Sequence, residues 1–242
     1  MIYYAETHVG SVRRNNEDAC YIPQKGEGGF FMIVADGMGG HNAGEVASQI
    51  VVDTFKSAFA DMEPEEITED ILCAIMERAN SRVLEDAKQH PDRHGMGSTA
   101  TAAVFCPKEV LIVHVGDSRA YLYHDGQLSQ ITKDHSYVQM LIDFGYINEQ
   151  QASSHPQKNI ITRAVGIDPD VTADIHHIVL LPGDCLVLCS DGLNNMISDN
   201  DIAEILKQGY ECAAKRLVDA ALTAGGKDNI SVALAVQDGE RA

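Results

Sequence analysis

The run Phe30-Phe31-Met32-Ile33-Val34-Ala35 is apolar throughout and stops at Asp36, which opens the glycine-rich turn Gly37-Met38-Gly39-Gly40-His41. An apolar run of this length bounded by turn signals reads as a buried strand. An amphipathic segment follows from near Asn42. A carboxylate at the end of a buried strand is held rigidly, and the glycines leave room for a metal ion or an anion beside the backbone. Taken alone, Asp36 would serve as well by capping the next helix. The arrangement recurs at Gly116-Asp117, at Asp191-Gly192 and, just before a final strand, at Asp228. Strand ends on one side of a sheet converge on one rim. Four carboxylates that meet there need a cation, because like charges and desolvation would otherwise protonate them.

The rest of the pattern supplies that sheet framework. Residues 2–5, 19–22 and 29–35 read as short strands. They are followed by two long helices whose apolar stripes are Val46, Ala47, Ile50, Val51, Phe55 and Phe59, and then Ile71, Leu72, Ile75, Met76, Ala79 and Val83. The second helix is expected to open at Pro64 with Glu65-Glu66 in its first turn. The segment from His90 to Gly97 reads as a loop. From Ser98 the period becomes that of strands, and 99–105, 110–115, 120–123 and 127–131 are expected to form one antiparallel meander with a hairpin turn at Asp125-Gly126. A helix over 137–144, a polar surface flap up to Asn159, an ordered return over 159–166, strands near 172–179 and 185–189, helices over 199–207 and 211–223, and a last strand over 231–236 complete the chain. With no repeat, linker or low-complexity tract, this predicts a single α+β domain over 1–242.

Charge and cysteine usage narrow the function. The 242 residues carry 18 basic and 36 acidic side chains, a net charge of −18. That argues against a nucleic-acid or anionic-membrane partner. The six cysteines form no CxxC pair, and Cys185 and Cys189 with His176 and His177 lack the spacing of a zinc site. The N-terminus shows no basic-then-apolar signal pattern and no apolar run is long enough to span a bilayer, so a cytoplasmic monomer is expected.

An oxygen-only ligand set without converging His or Cys points to Mg²⁺ or Mn²⁺. Two such ions bridged by a carboxylate hold and ionise a water for in-line attack on phosphorus. Arg13, in the polar turn Gly10-Ser11-Val12-Arg13-Arg14-Asn15-Asn16-Glu17-Asp18, offers a planar fork that matches phosphate oxygens. By itself that turn would read as a solvated loop.

These residues fall into a known order. Arg13 with Asn16-Glu17-Asp18, Ala35-Asp36-Gly37-Met38-Gly39-Gly40, Gly97-Ser98-Thr99 and Gly116-Asp117-Ser118-Arg119 are followed by Asp134-His135-Ser136, Ile161-Thr162-Arg163-Ala164-Val165-Gly166, Ser190-Asp191-Gly192-Leu193 and Asp228-Asn229-Ile230. Across essentially the whole chain the sequence resembles the PP2C (PPM) family of metal-dependent protein serine/threonine phosphatases, of the compact bacterial type. The resemblance implies a four-layer αββα sandwich, two antiparallel sheets flanked by helices. It implies hydrolysis of phosphoserine and phosphothreonine on proteins by a water bridging two divalent ions, opposing a bacterial Ser/Thr kinase. Asp36 would bridge the two ions, Asp191 and Asp228 would complete the first, and the Gly37 carbonyl would serve the second. Asp117 with Asp191 would hold a third ion, Glu17, Asp18 and Asn229 would lie in the shell behind the ligands, Arg13 would bind the phosphate, and residues 145–165 would form the flap near the substrate.

Two positions depart from the family pattern. His8 stands where bacterial members usually carry Asp, and Met38 stands where eukaryotic members often have the histidine proposed as a general acid. His41, His135 and His155 are the other histidines to weigh near the site. The rival readings are a catalytically silent reader of phosphorylated partners, a phosphatase acting on a sigma-factor regulator, and a two-metal nuclease, which the −18 charge disfavours.

Overall fold

The computed structural model describes residues 1–24, 29–39 and 43–239. In chain order it contains β1 (Ile2–His8), β2 (Asp18–Tyr21), β3 (Phe31–Met38), α1 (Ala43–Phe59), α2 (Glu69–Gln89), the short β4 (Gly97–Ser98), β5 (Ala100–Phe105), β6 (Val110–Val115), β7 (Arg119–His124) and β8 (Gln127–Gln130). There follow α3 (Tyr137–Asp143), α4 (Glu149–Ser153), β9 (Asp174–Ile178), β10 (Cys185–Cys189), α5 (Asp191–Asn194), α6 (Asp199–Lys207), α7 (Ala213–Thr223) and β11 (Ile230–Val236). One sheet has the order β1-β11-β10-β7-β8. The other has β2-β3-β5-β6-β9, with β4 paired to the end of β3. The ladders between these strands are antiparallel.

Two-residue alternation builds the layers. On β3, Phe31, Ile33 and Ala35 pack against α1 and α2, while Met32 and Val34 face the other sheet. On β10, Cys185, Val187 and Cys189 pack towards α6 and α7, while Leu186 and Leu188 face inward. The inner layer mixes these large side chains with Ala103, Ala120, Ala233 and Ala235, which lets the two sheets interdigitate. Two antiparallel sheets flanked by helices are therefore the expected αββα arrangement.

Three expectations need correction. The strands of 99–131 are not one meander: β5 pairs with β6 and β7 with β8, but β6 belongs to one sheet and β7 to the other. The link Gly116-Asp117-Ser118 is a crossover between sheets, turned by Gly116 at φ 112°. The second long helix does not open at Pro64. Pro64–Glu66 is a separate 3-10 turn, in which Glu63 N–H donates to Glu66 Oε2 at 2.8 Å, and Ile67 is extended before Thr68 caps α2 by accepting from Ile71 N–H at 3.3 Å. The polar flap also holds a helix, α4, closed by an Asn148–Gln151 capping box. Cys185 and Cys189 lie in one sheet and His176 and His177 on β9 of the other, and all six thiols are free. None of the described helices is long and apolar enough to cross a membrane.

Candidate metal centre

The four aspartates reach one rim by different routes. Asp36 has the parity of Met32 and Val34, so it continues the inner layer past its apolar end, opposite Asp18 on β2. Asp117 comes from the crossover, Asp191 from the first residue of α5 directly after β10, and Asp228 from the turn before β11. Together with Arg13, Glu17, Gly37 and Asn229 they line a cavity of about 210 Å³. Asp18 does not line it. Buried beside it, its Oδ2 accepts from Ser190 Oγ at 2.7 Å and its Oδ1 has no partner.

Backbone and hydroxyl contacts hold these groups in place. Asp36 N–H donates to Thr99 Oγ1 at 2.9 Å, and its carbonyl accepts from Thr99 N–H at 2.8 Å and from Ser98 Oγ at 3.1 Å. Thr99 Oγ1 also meets Ser118 Oγ at 2.7 Å, so one buried hydroxyl pair ties the Asp36 strand to the Asp117 crossover. Gly37 packs so tightly that a Cβ there would lie 2.0 Å from the Gly44 carbonyl oxygen. Only glycine fits.

The buried amide of Asn229 closes the loop that carries Arg13: it donates to the Val9 carbonyl at 2.8 Å and the Asn15 carbonyl at 2.9 Å, and accepts from Glu17 N–H at 2.8 Å. Arg13 Nη2 then donates to Asp228 Oδ2 at 2.8 Å. The same loop starts at Gly10, whose N–H donates to His8 Nδ1 at 2.9 Å. His8 thus supplies the acceptor that an aspartate side chain provides in an Asx-turn.

Electrostatically the ring is strained. Burial, then the charges of Asp18, Asp191, Asp117 and Asp228, push the Asp36 carboxyl well above its ordinary range. Burial followed by neighbouring carboxylates raises Asp191 to about 6, Asp18 to about 7 and Asp117 to about 8. Burial also raises Glu17. Arg13 is the one basic side chain lining the cavity among the described residues. A carboxylate set this crowded, with an unpartnered buried oxygen on Asp18, suits hard divalent cations. Among the described residues no three His, Cys, Asp or Glu side chains stand close enough to hold one ion on their own. They ring the cavity instead, which fits Mg²⁺ or Mn²⁺, hard ions that keep several waters able to link a carboxylate to the metal.

Neither His135 nor His155 lines the cavity. His135 is buried, with Nδ1 accepting from Gly116 N–H at 3.0 Å and Nε2 3.1 Å from Asp174 Oδ2; it braces the crossover. His155 packs its ring 6.1 Å from Tyr137. His41 lies outside the described residues. Sequence reasoning passed over the Thr99–Ser118 pair and the Ser190 hydroxyl, although each stood inside a quoted motif. It also passed over Asn195, whose Nδ2 donates to Asp191 Oδ2 at 2.8 Å.

Known proteins resemble this chain along nearly its whole length. A family model for Protein phosphatase 2C matches residues 8–239. The serine/threonine protein phosphatase PstP of Mycobacterium tuberculosis is 43% identical over 239 residues, covering 96% of this chain but 44% of that protein. The serine/threonine phosphatase stp of Listeria monocytogenes is 39% identical over 238 residues, covering 96% of this chain and 94% of its own length. The crystal structure of the mycobacterial PstP superimposes with a TM-score of 0.91 at 40% identity, over 98% of this chain and 99% of that one. The PstP catalytic domain is also known in complex with two manganese ions. The chain belongs to the protein phosphatase 2C family.

Proposed function

We propose that this chain is a metal-dependent protein serine/threonine phosphatase, and that its reaction centre is the carboxylate-ringed cavity with Arg13 on its edge. The observation that carries the reading is the meeting of Asp36, Asp117, Asp191 and Asp228 around about 210 Å³, lined among the described residues by one arginine, Arg13. Asp36 would bridge two Mg²⁺ or Mn²⁺ ions, Asp191 and Asp228 would complete one, the Gly37 carbonyl would serve the other, and Asp117 with Asp191 would take a third. When bound, such ions supply an ionised water and neutralise the phosphate charge. The protein's own contribution is placement. Arg13 releases Asp228 and turns its fork to two phosphate oxygens. Glu17, Asp18 and Asn229 orient waters and loop backbone behind the ligands. The two manganese ions in the related PstP catalytic domain support this assignment.

The substrates would be phosphorylated proteins, including a serine/threonine kinase and its targets, with the chain acting as one unit over 1–242. Six free thiols suit a reducing, cytoplasmic setting. The test is phosphate release from a phosphothreonine peptide with Mn²⁺, with EDTA, and with Asp36→Asn. Turnover that needs both the metal and Asp36 is expected. Full activity of folded Asp36→Asn would refute the bridging role, and tight phosphopeptide binding without release would favour a silent reader.

A further inference from the structure

The link between the sheets, Gly116-Asp117-Ser118, presents Asp117 to the cavity from a stretch outside either sheet. Both flanks of that aspartate are held, by different groups. Ser118 is held through its hydroxyl, 2.7 Å from Thr99 Oγ1, and its carbonyl, 3.2 Å from Thr101 Oγ1. Gly116 has no side chain to anchor and sits at φ 112°, so its torsions follow whatever its N–H and carbonyl find. One residue takes both groups. The main-chain N–H of His135 donates to the Gly116 carbonyl at 2.7 Å, and His135 Nδ1 accepts from the Gly116 N–H at 3.0 Å. The peptides on either side of the Gly116 Cα are thereby fixed, and the second of them leads into Asp117.

The imidazole is itself fixed. An Nδ1 that accepts carries no proton, so the neutral ring keeps its proton on Nε2, which donates to Asp174 Oδ2 at 3.1 Å. Arg163 Nη1 stands 3.0 Å from that nitrogen and gives its own proton to Asp174 Oδ1 at 2.6 Å. The buried ring of His114 packs beside it with centroids 4.8 Å apart, and its Nε2 donates to the Lys133 carbonyl at 3.2 Å. Burial holds both rings below the ordinary histidine value, His114 at about 3, which suits neutral imidazoles.

We propose that His135 is a positioning residue for Asp117: through Nδ1 it fixes the Gly116 peptide, aims the next carboxylate into the cavity and so sets how tightly the ion at Asp117 is held. The proposal rests on the reading above that Asp117 is a metal ligand. A buried N–H deprived of its acceptor turns to find another, and here the turning peptide would carry Asp117 with it.

The test uses the full chain and Mn²⁺ alone, without substrate, and takes Asp117→Asn as the reference that marks which Mn²⁺ site belongs to Asp117. Asparagine at 135 puts an amide oxygen near the place of Nδ1, whereas glutamine reaches towards Asp174 and leaves the Gly116 N–H unmet. Calorimetric titration is expected to show the marked site weakened about 3- to 10-fold in His135→Gln, with the other sites within about twofold of wild type. His135→Asn should restore the marked site to within about twofold. Nitrogen NMR of the wild-type ring should show the proton on Nε2. For a His135→Gln that does not fold, Asp174→Ala takes its place: it unties only Nε2 and should weaken the marked site about two- to threefold. An unchanged marked site in the folded variant, even with a lower melting temperature, would overturn the proposal and leave His135 a purely structural brace. Equal losses in the asparagine and glutamine variants, or a proton on Nδ1, would overturn it as well. Asp117→Asn that binds Mn²⁺ like wild type would instead remove the ligand role of Asp117, and this inference with it.

Discussion

His8 shows how a departure from a family pattern can keep its physics. What the loop needs at that position is an acceptor for the Gly10 N–H, and neutral imidazole Nδ1 provides one at 2.9 Å. Gly10 itself sits at φ 83°, with space for no Cβ against the Asp228 carbonyl, so the turn has few other ways to close. His8→Ala should therefore loosen the loop that presents Arg13. Losing one neutral hydrogen bond is worth about 0.5–1.5 kcal/mol, which corresponds to a fall in kcat/KM of about 2- to 10-fold, carried mainly by KM. His8→Asp should match wild type, and an equally impaired Asp variant would show that the acceptor is not what matters. Arg13→Ala removes the charge-assisted contact itself, worth about 1.5–3 kcal/mol. Steady-state kinetics on a phosphothreonine peptide should then show kcat/KM lower by about 10- to 150-fold. A smaller effect than that of His8→Ala would place the phosphate elsewhere.

At the scale of elements, the sequence was most informative where periodicity was long. The helices at 199–207 and the strand at 185–189 lie where their patterns put them, because capping residues and turn signals fence both ends. The crossover was not legible. β6 and β7 have the composition of adjacent hairpin strands, and nothing in Gly116-Asp117-Ser118 announces that the chain leaves one sheet for the other. Only the partners reveal it, since β6 pairs with β5 and β9, and β7 with β8 and β10. Of the site, the aspartates stood out because a carboxylate at a strand end is conspicuous, whereas Arg13 gained a role only once the carboxylates implied a phosphate. The hydroxyls that hold them did not, because a serine or threonine in a strand looks the same whether or not its partner is functional. Gly116 tests the crossover as an element. A methyl group there would meet Thr99 Cβ at 2.6 Å in a backbone conformation that side chains rarely adopt. Gly116→Ala should cost about 1–3 kcal/mol, or about 3–10 °C of melting temperature, and should weaken Mn²⁺ binding through Asp117. A variant that melts like wild type would mean the crossover tolerates another path.

For the whole molecule, the metal centre is a cost that the fold carries until cations bind. The inner layer between the sheets ends in Asp36, and Asp18, Asp117 and Asp191 crowd the same rim with carboxyls raised to about 7, about 8 and about 6. A carboxyl whose folded value lies above its unfolded value binds a proton in the native state that the unfolded chain has already released. Its contribution to stability is complete below about pH 4, where both states are protonated, and is lost as pH rises through the raised values. With EDTA present, the melting temperature should therefore fall between about pH 5 and pH 8.5, the reverse of an ordinary paired carboxylate. Cations invert the balance, because they bind the ionised ring and not the unfolded chain. At a hundredfold excess over Kd each site adds about 2.7 kcal/mol, and at about 2–4 °C per kcal/mol for a chain of this size the gain is about 5–10 °C per ion. Mn²⁺ should thus raise the melting temperature more at pH 8 than at pH 5.5, since protons and Mn²⁺ compete for the same oxygens. Scanning fluorimetry across that range, with EDTA and with Mn²⁺, reads both slopes in one experiment. A melting temperature that is flat in EDTA would show that the four carboxylates do not repel one another, and the case for cations at this rim would lose its physical basis.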